Sequence, residues 1–209
     1  MFFKHITILF VKILPLLLTL FITSCTVITE KPINNMVLDS LKSISLDYKD
    51  LDLLIAVNIR SQELFLLSKG NIEQVYSIST SAYGTGSKEN SFKTPLGKHK
   101  ISEKIGKGLP KGAILKARKW TGAIANIIKT PIDTDFDVVT SRILWLEGLE
   151  QGKNLGPGVD SKSRYIYIHG TAEEGLIGKP ASDGCVRMYN NDVISLFDKV
   201  SINTEVWII

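Results

Sequence analysis

Cys185 and His169 are the two side chains in this 209-residue sequence whose types fit nucleophilic catalysis. A thiol attacks a carbonyl as its thiolate, and it needs a base that takes its proton and later returns it to a leaving amine. Cys185 lies in Ser182-Asp183-Gly184-Cys185-Val186-Arg187-Met188, just ahead of a predicted helix. Backbone amides around Gly184, the helix start and the Arg187 cation all favour the thiolate. The bland alternative is a small buried hydrophobe, the usual place for a cysteine in a core. His169 ends the run Tyr165-Ile166-Tyr167-Ile168-His169, followed by Gly170-Thr171. Strand alternation sets Tyr165, Tyr167 and His169 on one face and Ile166 and Ile168 on the other. His5 falls in an N-terminal leader. His99 sits between Lys98 and Lys100, on what reads as a solvated strand face. His169 is therefore the expected partner of Cys185.

The elements that must position this pair read as mostly β. Short apolar or alternating runs occur at Leu53–Ile59, Gln62–Leu67, Ile72–Thr80, Gly97–Glu103, Ala113–Ala117, Val138–Leu146, Arg164–His169 and Thr204–Ile209. Gly, Pro and Asn turns such as Lys69-Gly70-Asn71 separate them, which predicts a largely antiparallel arrangement. One segment is helical. Val193, Ile194, Leu196, Phe197 and Val200 follow at helical spacing, with Asn190, Asn191 and Asp192 as cap candidates. Trp120, Trp145 and Trp207 are expected in the core. The eight basic residues between Lys98 and Lys119 read as a solvated face.

Composition narrows the function. The 25 basic and 21 acidic residues give +4, and without Lys4 and Lys12 of the leader the balance is 23 against 21, or +2. That is not the charge of an electrostatic nucleic-acid binder. Two cysteines do not make a disulfide scaffold, and with three histidines they do not make a convincing structural zinc site. Gly84-Thr85-Gly86 has no following helix and Gly106–Gly112 lacks Gly-Lys-Ser/Thr, so neither reads as a nucleotide loop.

Residues 1–24 read as a signal peptide. Lys4 and Lys12 precede the apolar run Ile13–Ile22, which is too short to span a bilayer comfortably. Ile22-Thr23-Ser24-Cys25 resembles a bacterial lipobox, in which the signal is cut before a cysteine that is then lipidated. Cys25 is thus the expected lipidation site, and the protein is expected in the periplasm, anchored to a membrane without spanning it. Thr26 in place of a retaining Asp favours the outer membrane. Residues 25–51 then read as the lipidated Cys and mainly a polar tether, in which Val37-Leu38 and Leu41 could form one short amphipathic turn, and 52–209 as the catalytic domain.

His169-Gly170-Thr171 followed by Ser182-Asp183-Gly184-Cys185-Val186-Arg187 resembles the signature of the L,D-transpeptidase catalytic domain (YkuD-type) family. Thr94-Pro95-Leu96-Gly97 and Thr140-Ser141-Arg142-Ile143-Leu144-Trp145-Leu146 extend the resemblance, the latter to Gram-negative members. The resemblance implies a mainly β, sandwich-like mixed sheet with one helix beside the catalytic Cys. It implies Cys185 as nucleophile and His169 as base and acid, oriented by the Gly170 carbonyl. Amides of Gly184 and Cys185 would form the oxyanion hole. Arg187, Ser182, Asp183 and Tyr167 would support the loop or meet substrate. The implied reaction is acyl transfer on peptidoglycan stem peptides without cofactor or metal. A thioester would form at the diamino acid with loss of D-Ala, and pass to a stem-peptide amine, a small lipoprotein or water. Asp183 departs from the pattern, which has a second His there. A carboxylate beside a thiolate raises the thiol pKa. A hydrolase on the same scaffold and a non-catalytic peptidoglycan-binding lipoprotein are the competing readings.

Overall fold

The computed structural model describes residues 33–44, 48–134 and 138–209, so the leader and Cys25 lie outside the described residues. The fold is mainly β. Ten strands form one mixed sheet: β1 (Leu54–Asn58), β2 (Glu63–Ser68), β3 (Asn71–Ser79), β4 (Gly97–Ile105), β5 (Ala113–Lys116), β6 (Lys119–Ile124), β7 (Val139–Gly148), β8 (Tyr167–Thr171), β9 (Val186–Met188) and β10 (Glu205–Ile208). Among the described residues two α-helices accompany them, α1 (Ile33–Ile44) and α2 (Asn190–Lys199). The order is β4-β10-β1-β2-β3-β9-β8-β7-β5-β6, and β4 also pairs with β7. The sheet therefore closes on itself. Only β1–β10 and β8–β9 are parallel pairs; the others run antiparallel.

Period-2 alternation divides the apolar residues between two faces. The main core takes Ile55, Val57, Leu64, Leu66, Ile78, Ile168, Val186 and Val206, together with Val193, Leu196 and Phe197 of α2. The opposite face of β1, β2 and β10 carries Leu54, Ala56, Phe65, Leu67 and Trp207, and α1 covers it with Val37 and Leu41. Those two residues are one helical turn apart, hence on one stripe. Here the tether reading of 25–51 is corrected: Ile33–Ile44 is a docked helix, because β1 and β2 are apolar on both faces and need a second cover. No described helix is long and apolar enough to cross a membrane.

Several expectations change in detail. Trp207 is 5 % exposed, but Trp120 is 47 % exposed on β6, a strand with no predicted counterpart. Asn190 is the first residue of α2 rather than its cap; Tyr189 holds the cap position. β9 intervenes between Cys185 and α2, so the helix start does not reach the thiol.

His99 is buried, not solvated. Its Nδ1 lies 2.9 Å from the Gly97 carbonyl and its Nε2 lies 2.9 Å from Ser161 Oγ. A carbonyl only accepts, so Nδ1–H donates and Nε2 accepts from the hydroxyl, which is a satisfied neutral imidazole. Burial lowers its pKa from 6.5 to about 4, against the raising effects of the Gly97 carbonyl and Glu150. The folded value lies below the unfolded one, so the neutral ring stabilises the fold fully above about pH 6.5. That stability is lost as pH falls from 6.5 through 4, by about 3 kcal/mol in total. Urea unfolding at pH 7 and pH 4.5 should show this loss in the native chain and a smaller one in His99→Asn. Equal losses would contradict it.

Candidate active site

β8 and β9 bring the two catalytic candidates together. Their parallel register sets Ile168 beside Val186 and His169 beside Arg187. Registered residues share a face, so Tyr167, His169 and Arg187 project from the face opposite the main core, and Cys185, just before β9, packs against the Tyr167 cluster on that side. The parallel pairing is a long-range contact between a motif at 167–171 and one at 186–188. Ile166, Ile168, Val186 and Met188 anchor it by filling the main core from the other side.

His169 is 1 % exposed, and its Nδ1 lies 2.7 Å from the Gly170 carbonyl oxygen. The carbonyl accepts, so the proton of the neutral ring sits on Nδ1 and Nε2 keeps its lone pair. Gly170 is required by space: a Cβ there would meet Asn190 Oδ1 at 2.7 Å and the Thr140 carbonyl at 2.9 Å. Asn190 fills that corner as a junction. Its Oδ1 accepts from the Thr140 and Ser141 hydroxyls at 2.7 and 2.6 Å, and its Nδ2 donates to the Thr171 carbonyl and Glu174 Oε1 at 2.8 Å.

Cys185 is partly exposed. Its Sγ receives the Tyr167 amide at 3.4 Å and sits 3.4 Å from the Tyr165 carbonyl. The amide favours the thiolate; the carbonyl is satisfied by the thiol. Thr94 and Ser182 hold the nucleophile turn. Thr94 Oγ1 donates to the Gly184 carbonyl at 3.1 Å, and Ser182 Oγ donates to the Cys185 carbonyl at 2.6 Å. Gly184 has φ +115, and a Cβ there would lie 3.3 Å from the Lys93 carbonyl, so this position needs glycine on both counts.

The geometry divides these residues between the loop and the surface. Gly184 N–H donates to Ser182 Oγ at 3.3 Å, so this amide belongs to the turn and must leave that long bond before it stabilises an oxyanion. Ser182 is fully buried, which assigns it to the turn rather than to substrate. Arg187 is 2 % exposed and pairs with the fully buried Glu173 at 2.9 Å, so it holds the loop and does not reach a substrate carboxylate. Tyr167 is 7 % exposed; its hydroxyl accepts from Arg118 at 3.3 Å and its ring stands edge-on to His169. Asp183 is exposed and lines a cavity beside the turn.

Residues that carry no motif complete the site. Arg164 is a cation whose charge reaches Cys185. Its Nη2 donates to the Lys93 carbonyl at 2.7 Å and its Nη1 to the Gly86 carbonyl at 3.3 Å. Burial lowers the pKa of this guanidinium, and the charges of Cys185 and Glu89 oppose that shift. On the other side, Arg118 lies over the rings of Trp145 and Tyr165 at 4.6 and 5.2 Å. A cavity of about 360 Å³ opens there, walled by Trp145, Lys162 and Tyr165 among others. Among the described residues, no group of three or more His, Cys, Asp or Glu is placed to hold a metal.

A histidine whose neutral ring carries its proton on Nδ1, on the face of a partly exposed thiol, is an arrangement for acyl transfer. The sequence model of the L,D-transpeptidase catalytic domain family (YkuD) matches residues 52–208, more than half of the chain. The chain belongs to the L,D-transpeptidase catalytic domain family. It is 39 % identical over 69 residues to YqjB of Bacillus subtilis (strain 168), whose name assigns it provisionally to the L,D-transpeptidases; the match covers 30 % of this chain and 39 % of that one. It is 35 % identical over 66 residues to a protein of Fuscovulum blasticum, ORF 5 of the ATP synthase subunits region, with the same provisional designation; that match covers 27 % and 35 %. The chain thus spans well under two thirds of either relative. Among solved structures, an L,D-transpeptidase from Mycobacterium smegmatis is similar at a TM-score of 0.44 and 14 % identity, over 76 % of this chain and 58 % of that one. The L,D-transpeptidase LdtMt1 in complex with imipenem is similar at 0.45 and 13 %, over 76 % and 59 %.

Proposed function

We propose that this chain is a cysteine-dependent L,D-transpeptidase acting on peptidoglycan tetrapeptide stems. The observation that carries this reading is the shared face of His169 and Cys185, with the imidazole proton held on Nδ1 by the Gly170 carbonyl. His169 Nε2 takes the thiol proton, and Cys185 Sγ adds to the carbonyl at the L-centre of a diamino acid. The C–N bond to the terminal D-Ala breaks, and His169 returns the proton to the departing amine. The enzyme is left as a thioester. An amine of a second stem, or a Lys of a small lipoprotein, then attacks that carbonyl and expels the thiolate; with water in that role the product is a trimmed stem. Family membership supports the substrate class, and the leader with Cys25 supports a lipid-anchored periplasmic enzyme, with the outer membrane favoured.

Thioester chemistry at Cys185 is tested by intact mass. The full chain in detergent, exposed to meropenem, should gain one drug-derived acyl group on the Cys185 peptide, and Cys185→Ala should gain none. An unchanged mass in the native chain would contradict the reading.

A further inference from the structure

Tyr83 and Phe92 are aromatic side chains that the fold leaves in water, 57 % and 53 % exposed, with ring centroids 5.8 Å apart. Their backbone is fixed. Buried Ser81 brackets both: its hydroxyl donates to the Phe92 carbonyl at 2.5 Å and accepts from the Tyr83 amide at 3.0 Å. Phe92 has φ +58, a backbone that a bulky residue adopts only where its surroundings impose it. Two adjacent exposed rings on an imposed backbone mark a contact surface.

The same bracket is fastened to the nucleophile turn. Ser81 pairs with Ser182 as a parallel bridge, and the Ala82 amide donates to the Ser182 carbonyl at 3.0 Å. Ser81 N–H donates to Thr94 Oγ1 at 3.0 Å, and that hydroxyl donates to the Gly184 carbonyl at 3.1 Å. The Phe92 carbonyl lies 3.5 Å from where a Gly184 Cβ would stand. Phe92 also walls a cavity of about 270 Å³, together with Glu89, Asn90 and Asp183 among others. Two apolar rings beside a rim of amide and carboxylate groups suit a pyranose. Its axial C–H groups make an apolar face, and its hydroxyls take the hydrogen bonds. Trp145, beside the larger cavity, offers no such open face, because Arg118 and Lys162 lie over it at 4.6 and 5.4 Å. Among the described residues no cation lies over Tyr83 or Phe92.

We infer that Tyr83 and Phe92 form a sugar platform, which stacks on a pyranose ring of the disaccharide that carries the donor stem. The inference rests on the transpeptidase reading and adds the glycan to what the site recognises. A stem peptide of small and charged residues has no broad apolar face for two aromatic rings; the sugar has one. The donor's sugar comes nearer the turn than the acceptor's. The donor's reacting carbonyl is in the main chain, three residues or about 10 Å from the sugar, whereas the acceptor's amine ends a side chain several bonds further out.

The test is a competition between donors. The full chain in detergent is incubated with D-methionine as acceptor and equal amounts of disaccharide tetrapeptide and the same tetrapeptide without sugar. Mass analysis gives the ratio of products, exchanged or trimmed, from the two donors. Both compete for one enzyme, so the ratio reports relative kcat/KM and does not depend on how much of a variant is folded. The native chain should favour the sugar-bearing donor. The double variant Tyr83→Ala with Phe92→Ala should cut that preference about 5–50-fold, the worth of two aromatic contacts. A native chain without the preference, or a variant that keeps it, overturns the inference. If neither donor releases D-Ala, the transpeptidase reading fails instead. The platform is then judged alone by NMR titration of Cys185→Ala with the peptide-free disaccharide of N-acetylglucosamine and N-acetylmuramic acid. Saturable shifts of the Tyr83 and Phe92 ring signals support it, and no shift overturns it.

Discussion

His169→Ala is expected to slow acylation of Cys185 by about 10²–10⁴-fold, the usual worth of a positioned acid–base. The reason is local. The Gly170 carbonyl 2.7 Å from Nδ1 fixes the tautomer whose Nε2 can take a proton, and β8–β9 register puts that ring on the thiol's face. Among the described residues that share this face, Arg187 is paired with Glu173, and the Tyr167 phenol is pushed above its ordinary value by burial. His169 is also buried, so a loss of rate alone does not separate catalysis from packing. The pH profile does. Thiol alkylation of the native chain should rise at a pH well below the ordinary thiol value of about 8.5, and in His169→Ala the rise should move up towards it. Identical profiles and identical acylation rates would remove His169 from the chemistry.

Glu173→Gln is expected to be the most damaging single change outside the reacting groups. Glu173 is fully buried and Arg187 is 2 % exposed, with Oε2 and Nη1 2.9 Å apart. The other oxygen, Oε1, accepts from the Thr134 amide and hydroxyl at 2.7 and 2.5 Å. Neutralising the acid leaves a guanidinium buried without its counter-charge, which costs about 3–5 kcal/mol. For a domain of this size that lowers Tm by roughly 6–20 °C. Because Arg187 registers with His169, activity should fall with stability. The double variant Glu173→Gln with Arg187→Met removes the stranded charge and should melt higher than Glu173→Gln alone. A double variant that melts no higher would show that charge burial is not the cause.

Much of this site is legible in the residues. His169 and Cys185 stand out because few side chains in the chain can serve as base and nucleophile, and the alternation of Tyr167 and His169 already sets the base on one face, although Tyr165, at φ +57, lies outside the strand. The strands β1 to β4, β7 and β10 follow from apolar runs closed by turn residues. What sequence patterns miss has physical causes. β9 is three residues long and its burial is continuous, so it shows no period. β6 is exposed on every residue and has no apolar face to read. α1 is legible as no more than one short amphipathic turn at Val37-Leu38 and Leu41, two of which, Val37 and Leu41, are fully buried, yet the two-sided apolarity of β1 and β2 asks for a longer cover. The charges rearrange most. Arg187 looks catalytic because it is two residues from Cys185, but in a strand that spacing brings it to Glu173. Arg164 looks incidental because it lies twenty-one positions before Cys185, and only the fold brings its charge to the sulfur. His99 reads as solvated from its lysine neighbours, although alternation turns it to the opposite face from them.

Transfer itself is tested most directly by mass analysis of muropeptides. The full chain in detergent is incubated with purified disaccharide tetrapeptide, beside Cys185→Ala as control. A crosslinked dimer together with released D-Ala, absent with the variant, is the predicted result. Tripeptide and D-Ala without dimer would make the chain an L,D-carboxypeptidase instead. Unchanged tetrapeptide with the native chain would contradict the assignment of Cys185 as a nucleophile towards stem peptides.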